Sequence, residues 1–184
     1  MSIFCSNSII DCYLSSDNSD NNELKGFIDI YKPKSYINDK IEHNINLSVF
    51  NIAPETNVDN MIRHFINKKR VFKLLEEEIL KSNITYDIII LLRLDLLFNN
   101  KLSLNTINSN ILYIPIGYDY RGINDQIAMG DFITMKKYNN IIDNVIFLLS
   151  NNILMVNPES LTKTNIVYNK LVVERIYLEY RIDK

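Results

Sequence analysis

The 184-residue sequence has no tryptophan, two cysteines, four glycines, four prolines and two histidines. Cys5 and Cys12 are too few for a disulfide framework or a cysteine metal cluster, so a reducing, cytoplasmic setting is expected. Four scattered glycines cannot build a glycine-rich phosphate loop. His43 and His64 lie at metal-ligand spacing from neither each other nor a cysteine, which argues against a zinc site. His64, on a helical stretch beside Arg63, reads as structural. No Ser-His-Asp order or nucleophile elbow is present. A surplus of positive charge is lacking too: the net charge is -2. Nucleic acid and anionic membranes are therefore not expected as partners. The longest apolar run, Ile88 to Leu92, is far short of a membrane span. The N-terminus has no basic segment, and Asp11 interrupts its apolar residues, so no signal peptide is expected.

What the chain does have is ordinary for a globular protein, with 47% hydrophobic and 23% charged residues. Its length suits one domain, residues 1–184, with residues 1–57 rich in loops. Asn and Ile supply roughly three residues in ten, well above common usage. Alanine occurs only at Ala53 and Ala128. This skew follows codons of a low-GC genome, so many Asn residues are background. The Asn-x-Ser/Thr triplets at Asn46 and Asn83 are expected by chance in such a chain.

Periodicity supplies the elements. Ser2 to Cys5 reads as a short strand, Asn7 to Asn22 as a loop, and Leu24 to Tyr31 as a short helix stopped at Lys32-Pro33. Tyr36 to Ile52 reads as irregular structure with short strands. Val58 to Leu80 carries apolar residues at helical spacing with a slip near Asn67, which predicts one bent helix or two abutting ones. Tyr86 to Leu92 predicts a central strand covered on both faces, and Ile111 to Ile116 a second buried strand. Asp131 caps a helix extending to Leu149. Asn157-Pro158-Glu159 opens another, ending near Tyr168. Leu171 to Arg181 predicts a final strand. The class is α/β or α+β with a mixed sheet.

Chemistry is expected beyond strand ends. The first apolar strand ends in Arg93-Leu94-Asp95, whose two charges share one side of an extended chain. They form either an ion pair that closes the strand or a ligand site. A carboxylate can hold a divalent ion, and a guanidinium can grip a phosphate with two hydrogen bonds. The second concentration is Gly117 to Gln126, with Arg121, Asn124, Asp125 and Gln126. It reads either as a polar turn capping a helix at Asn124 or Asp125, or as an active-site loop with a general base and sugar-binding groups.

These segments resemble a family of glycosyltransferase-like proteins common in large DNA viruses and some bacteria. Tyr86 to Phe98 is similar to its "YDxxIxxRxDLxF" block. Ile111 to Pro115 and Gly122 to Gly130 are similar to its "IYIP…GxNDQFAxG" block. Met135 to Tyr138 is similar to its "xMxxY" helix, and Asn157 to Leu161 to its "hPExLL" helix start. The blocks occur in order from Val58 to Asp183. The resemblance implies a single nucleotide-sugar transferase domain of the GT-A type, with a mixed central sheet flanked by helices. It implies a nucleotide-sugar donor and a glycan or protein acceptor. Such enzymes hold a divalent ion with Asp-x-Asp. Here that place reads Arg93-Leu94-Asp95, so two readings stay open: Mn2+ or Mg2+ on Asp95, or metal independence with Arg93 neutralising the diphosphate. Arg93 and Asp95 are the implied donor residues. Asp125 is the implied catalytic base, and Arg121, Asn124 and Gln126 the implied substrate contacts.

At the start, Ile3 to Asn7 resembles the family's later "xxFxxTW" strand, and Lys32-Pro33-Lys34 its "YKPK". A shortened N-terminus, without the first strand and its "GQxR" loop, is therefore expected. Low-GC composition fits a large DNA virus, which would place the protein in host cytoplasm. The alternative function is an inactive or truncated GT-A-like protein that binds a glycan or a partner. A metal-dependent hydrolase using Asp87, Asp95 and Asp125 is a third reading. It is disfavoured because Asp87 lies at the far strand end, about 25 Å away at ~3.3 Å per residue.

Overall fold

The computed structural model describes residues 9–17, 21–100, 107–151 and 154–183. The expected strand at Ser2 to Cys5 lies outside these residues. The described elements form a mixed α/β domain built on the 25-residue helix α2, Val58–Ser82. Asn57 caps its start by accepting from the Asn60 backbone N–H, and Asn83 ends it in a left-handed conformation at φ 54°. The apolar slip at Asn67 neither breaks it nor splits it. Before α2 come β1 (Tyr13–Ser16), α1 (Asn21–Tyr31) and β2 (Ser35–Asn38). β1 and β2 pair in parallel as a small sheet. Tyr13–Ser16 is therefore a strand within a stretch whose Ser, Asn and Asp content suggested only a loop.

After α2 the chain forms β3 (Ile89–Leu92), β4 (Leu96–Phe98), β5 (Ile111–Pro115) and β6 (Ile127–Gly130). Helices α3 (Phe132–Tyr138), α4 (Val145–Leu149) and α5 (Pro158–Tyr168) follow, then β7 (Val172–Ile176) and β8 (Tyr180–Ile182). The main sheet has the order β3-β6-β5-β7. β6 runs antiparallel to β3 and β5, and β5 runs parallel to β7. The two strands expected to share a sheet do so, with β6 between them.

Side chains alternate across this sheet with the two-residue period of a strand. Ile89, Leu91, Leu112, Ile114 and Ala128 join Phe72 and Leu75 of α2 on one face. Ile88, Ile90, Leu92, Tyr113, Ile127 and Met129 join Leu178 and Tyr180 on the other. The N-terminal half of α2 buries Met61, Ile62 and Phe65 against Val145, Leu148, Val156 and Leu161. Full burial of each such side chain contributes about 1.5–3 kcal/mol.

Four expectations need correction. β3 has apolar cover on both faces, but among the described residues it pairs only with β6 and stands at the edge of the sheet. An unbroken apolar run reports covered faces and says nothing about the ladder edges. The Asp131-capped helix ends at Tyr138, and a 3-10 turn (Ile142–Asn144) precedes α4. The Leu171–Arg181 segment splits into β7 and β8, which belong to different sheets. Finally, Asn124 and Asp125 do not cap a helix; they lead into strand β6.

Candidate functional site

The Arg93–Asp95 turn and the Asn124–Gln126 segment meet at one end of the main sheet. β3 and β6 pair through Leu92↔Ile127, and the ladder continues one step as the Arg93 N–H donates to the Gln126 carbonyl at 3.2 Å. The Arg93 guanidinium grips Asp95 with two bonds, Nε to Oδ1 at 2.9 Å and Nη2 to Oδ2 at 2.5 Å. Both side chains are 38% exposed. β4 pairs with β8, and Asp183 N donates to the Asp95 carbonyl at 2.8 Å. The last strand thus fastens the turn.

The segment entering β6 is held from several sides. Gly117, Tyr118, Tyr120 and Arg121 take positive φ values of 95°, 55°, 22° and 70°. Non-glycine residues bear such conformations when their surroundings fix them. Here the Asp119 carboxylate accepts from the Asn124 N–H at 2.9 Å and from Arg175 Nη2 at 2.8 Å. Asn124 is fully buried. Its Nδ2 donates to the Gly117 carbonyl at 2.8 Å and to Tyr180 Oη at 2.6 Å, while Oδ1 accepts from Gln126 N at 3.0 Å. Asn124 is therefore a brace for the loop. Arg121 is exposed and paired with Glu55. Gln126 is buried, and its Oε1 has no hydrogen-bond partner among the described residues.

Asp125 occupies the middle of the site. Its Oδ2 lies 2.9 Å from His64 Nε2 and 3.7 Å from Lys68 Nζ. Lys68 Nζ also donates to the Asp125 carbonyl at 2.5 Å. The His64 ring is in contact but makes no aligned hydrogen bond. Lys68 is buried, and its ammonium lies 5.4 Å and 5.5 Å from the ring centres of Phe65 and Tyr138. Burial pushes the Asp125 carboxyl up. Lys68, the His64 contact and Arg93 outweigh it and hold the group below the usual carboxylate range. Burial, then the Lys68 charge, lowers His64, so the imidazole is neutral at pH 7. Such a carboxylate is a fixed charge and a weak base at neutral pH.

One further acid feels the charges of this group. Glu159, in the first turn of α5, is buried, and its carboxyl is raised to about 7 by burial and then by the charge of Asp125. Lys68 and Arg93 oppose that rise.

Of the residues singled out from sequence, Arg93, Asp95, Asp125 and Gln126 come together, with Asn124 behind them. Arg121 lies on the exposed side of the loop. Lys68 and Glu159 were not singled out, and His64 was read as structural alone. Lys68 had a signal: Met61, Phe65, Lys68, Phe72 and Leu75 form one buried stripe, so a lysine stands where the pattern calls for an apolar residue. Glu159 looked like an ordinary first-turn acid.

Asp95 is a poor cation ligand in this arrangement. It is a lone carboxylate with both oxygens engaged by Arg93. Among the described residues, no three His, Cys, Asp or Glu side chains converge as a metal set. The donor set therefore does not fit the divalent ion of an Asp-x-Asp site.

A family model described as a domain of unknown function, DUF7796, matches residues 20–182. The chain belongs to the DUF7796 family. Among curated proteins none matches it. The match spans His64, Lys68, Arg93, Asp95, Asp125 and Glu159, so the whole site lies within the DUF7796 domain. No described helix of this domain is long and apolar enough to cross a membrane.

Proposed function

We propose that this domain is a nucleotide-sugar-dependent glycosyltransferase of the GT-A type. The observation that carries the reading is the hydrogen bond from Arg93 N to the Gln126 carbonyl. It brings the "RxDLxF" and "GxNDQ" blocks of the resemblance to one place, at the end of a mixed sheet. The exposed part of Arg93 meets the donor diphosphate. Its guanidinium supplies fixed positive charge where negative charge develops on the leaving group. Asp95 orients that guanidinium and offers an acceptor to ribose or sugar hydroxyls. Gln126 adds a buried carbonyl oxygen that has no partner among the described residues. No step is assigned to a metal.

A second reading is favoured by one feature: the charges of Asp125, Lys68, Arg93 and Asp95 are already matched within the protein. That pattern suits a non-catalytic GT-A-like domain which binds a glycan or a partner. Calorimetric titration decides between them, using uridine, guanosine and cytidine diphosphates and their sugar conjugates, with and without manganese. The transferase reading expects binding of at least one conjugate and turnover of it. Binding to none of them would remove the nucleotide-sugar assignment.

A further inference from the structure

Helix α2 sends two side chains to Asp125. His64 and Lys68 stand four residues apart and so share one face of the helix. Lys68 Nζ donates to the Asp125 carbonyl at 2.5 Å and lies 3.7 Å from Oδ2, and His64 Nε2 lies 2.9 Å from the same Oδ2. One carboxylate oxygen is thus shared between an ammonium and an imidazole. Lys68 holds Asp125 by backbone and side chain together, so the carboxylate that His64 meets is fixed in place. Phe65 flanks the His64 ring, with centroids 5.3 Å apart.

The carboxylate decides which ring nitrogen carries the hydrogen. Asp125 is ionised, and an ionised carboxylate only accepts hydrogen bonds. The nitrogen facing it, Nε2, is therefore the N–H, and Nδ1 keeps the lone pair. The contact is not aligned as a hydrogen bond; catalytic hydrogen bonds often tighten only in the substrate complex. Nε2 is buried, yet the His64 side chain is 23% exposed, so its exposed part lies away from Asp125. The Asp125 side chain is only 6% exposed. The pair adjoins the rung that places Arg93, because Asp125 precedes Gln126, whose carbonyl accepts from Arg93 N at 3.2 Å. The charges facing His64 are Lys68 on its own helix, Asp125 at the entrance to β6 and Arg93 at the end of β3.

We propose that His64 is the catalytic residue that takes the acceptor's proton, at Nδ1, with Asp125 orienting the ring from Nε2 and Lys68 fixing Asp125. This rests on the transferase reading above. The resemblance implied Asp125 as the base; with its carboxylate engaged by His64 and Lys68, the proton-accepting group moves to His64. In the step, the acceptor O–H bond breaks and its proton passes to His64 Nδ1. The freed oxygen electron pair forms the bond to the donor's anomeric carbon. The bond from that carbon to the diphosphate oxygen breaks, and its electron pair leaves with the nucleoside diphosphate beside Arg93. The Asp125 carboxylate stabilises the imidazolium so formed, which then returns the proton to water. A base must start the step unprotonated. Burial and the Lys68 charge keep His64 neutral at pH 7, so it meets that condition.

The test uses the full chain with UDP-glucose, UDP-N-acetylglucosamine, GDP-mannose and GDP-fucose as probes, and water as acceptor. Donor binding is read by calorimetry and turnover by release of nucleoside diphosphate. Nitrogen-detected NMR of the imidazoles reads tautomer and titration. The chain has two histidines, so His43→Gln assigns both signals. His43 also meets a carboxylate at 2.9 Å, but that of Asp59, which is 56% exposed, so this variant is the control with an unchanged rate. The wild type is expected to bind a donor and to release diphosphate with a rate that rises through one ionisation below 6.5, the ordinary histidine value. The His64 signal is expected to titrate with the rate and to show the Nε2–H tautomer above it. His64→Gln is expected to keep the donor affinity, lose at least about 100-fold in rate and lose that ionisation. An Nδ1–H tautomer in the wild type overturns the inference without recourse to any variant and leaves the transferase reading in place. So does donor binding with an unchanged rate or pH profile in His64→Gln. Donor binding without release by the wild type overturns it and favours the non-catalytic reading. Absence of donor binding overturns both.

Discussion

Gly122 and Glu159 meet backbone to backbone: a Cβ placed on Gly122 would lie 2.0 Å from the Glu159 carbonyl carbon and 2.3 Å from the Ser160 nitrogen. No rotamer change relieves an overlap with main chain. Gly122→Ala is therefore expected to push the start of α5 off the loop and to cost roughly 2–4 kcal/mol, the upper range for one substitution. Gly26→Ala is the control. Nothing lies within 4 Å of that position, and it sits in helix α1. There the change is expected to stabilise by about 0.5–1 kcal/mol. Urea unfolding of both variants checks the pair, and equal effects would contradict the close approach.

The Lys68–Asp125 pair is buried on both sides, so breaking it leaves one uncompensated charge. Lys68→Met alone is expected to cost about 3–5 kcal/mol. The double variant Lys68→Met/Asp125→Asn is expected to cost less than the sum of its two single variants. A double-mutant cycle measured by chemical denaturation reads this coupling. Simple additivity would mean that the two groups do not share a charge balance.

Arg93 separates stability from binding. Its pair with Asp95 is more than a third exposed, and such pairs contribute at most about 1 kcal/mol. Arg93→Ala is therefore expected to leave the thermal midpoint nearly unchanged. The same variant should weaken nucleotide affinity at least about tenfold, the effect of losing a charge-assisted contact. Thermal melts and calorimetry on one preparation compare the two. A large fall in the midpoint with unchanged affinity would place Arg93 in the scaffold instead.

Glu159 gives stability an unusual slope with pH. Its folded-state carboxyl titrates near 7, above the value of 4.5 for a free side chain. The folded protein then binds the extra proton between these values. This contribution is complete below the unfolded value and is lost as pH rises towards 7. Glu159→Gln is expected to be more stable than wild type at pH 8, with the gap closing near pH 4.5. Asp125 has the opposite sign: its contribution is lost as pH falls, so the acid limb should survive in Glu159→Gln. Unfolding free energies at several pH values test both limbs. A constant gap across the range would show that Glu159 titrates normally.

The sequence was most readable where one period dominates a long segment. Helix α2 carries its apolar stripe through seven turns, and Asn57 caps its start. α5 announces itself with Asn157 and Pro158. β6 was hidden because it has only four residues and follows directly on Asn124, Asp125 and Gln126, which look like turn or cap residues. The Arg93–Asp95 turn was visible as two charges ending an apolar run. The roles of Lys68 and Glu159 were not, because they arise from α2 and α5 converging across a separation of 91 positions in the chain. Local pattern carries no information about that convergence beyond the oddity of a lysine in a buried stripe.

β8 has a consequence for how the protein is made. Tyr180–Ile182 pairs with Leu96–Phe98, Asp183 reaches back to the Asp95 carbonyl, and the Tyr180 hydroxyl holds Asn124. Both halves of the site therefore lean on residues synthesised after all of its charged members. During translation α2, β3 and β6 can assemble on the ribosome, yet the Arg93 turn and the Asn124 brace lack their fastening until Tyr180–Ile182 emerges. A chain that ends before Tyr180 would carry the α2-facing side of the core, with the other face of the sheet incompletely covered and the site unfinished.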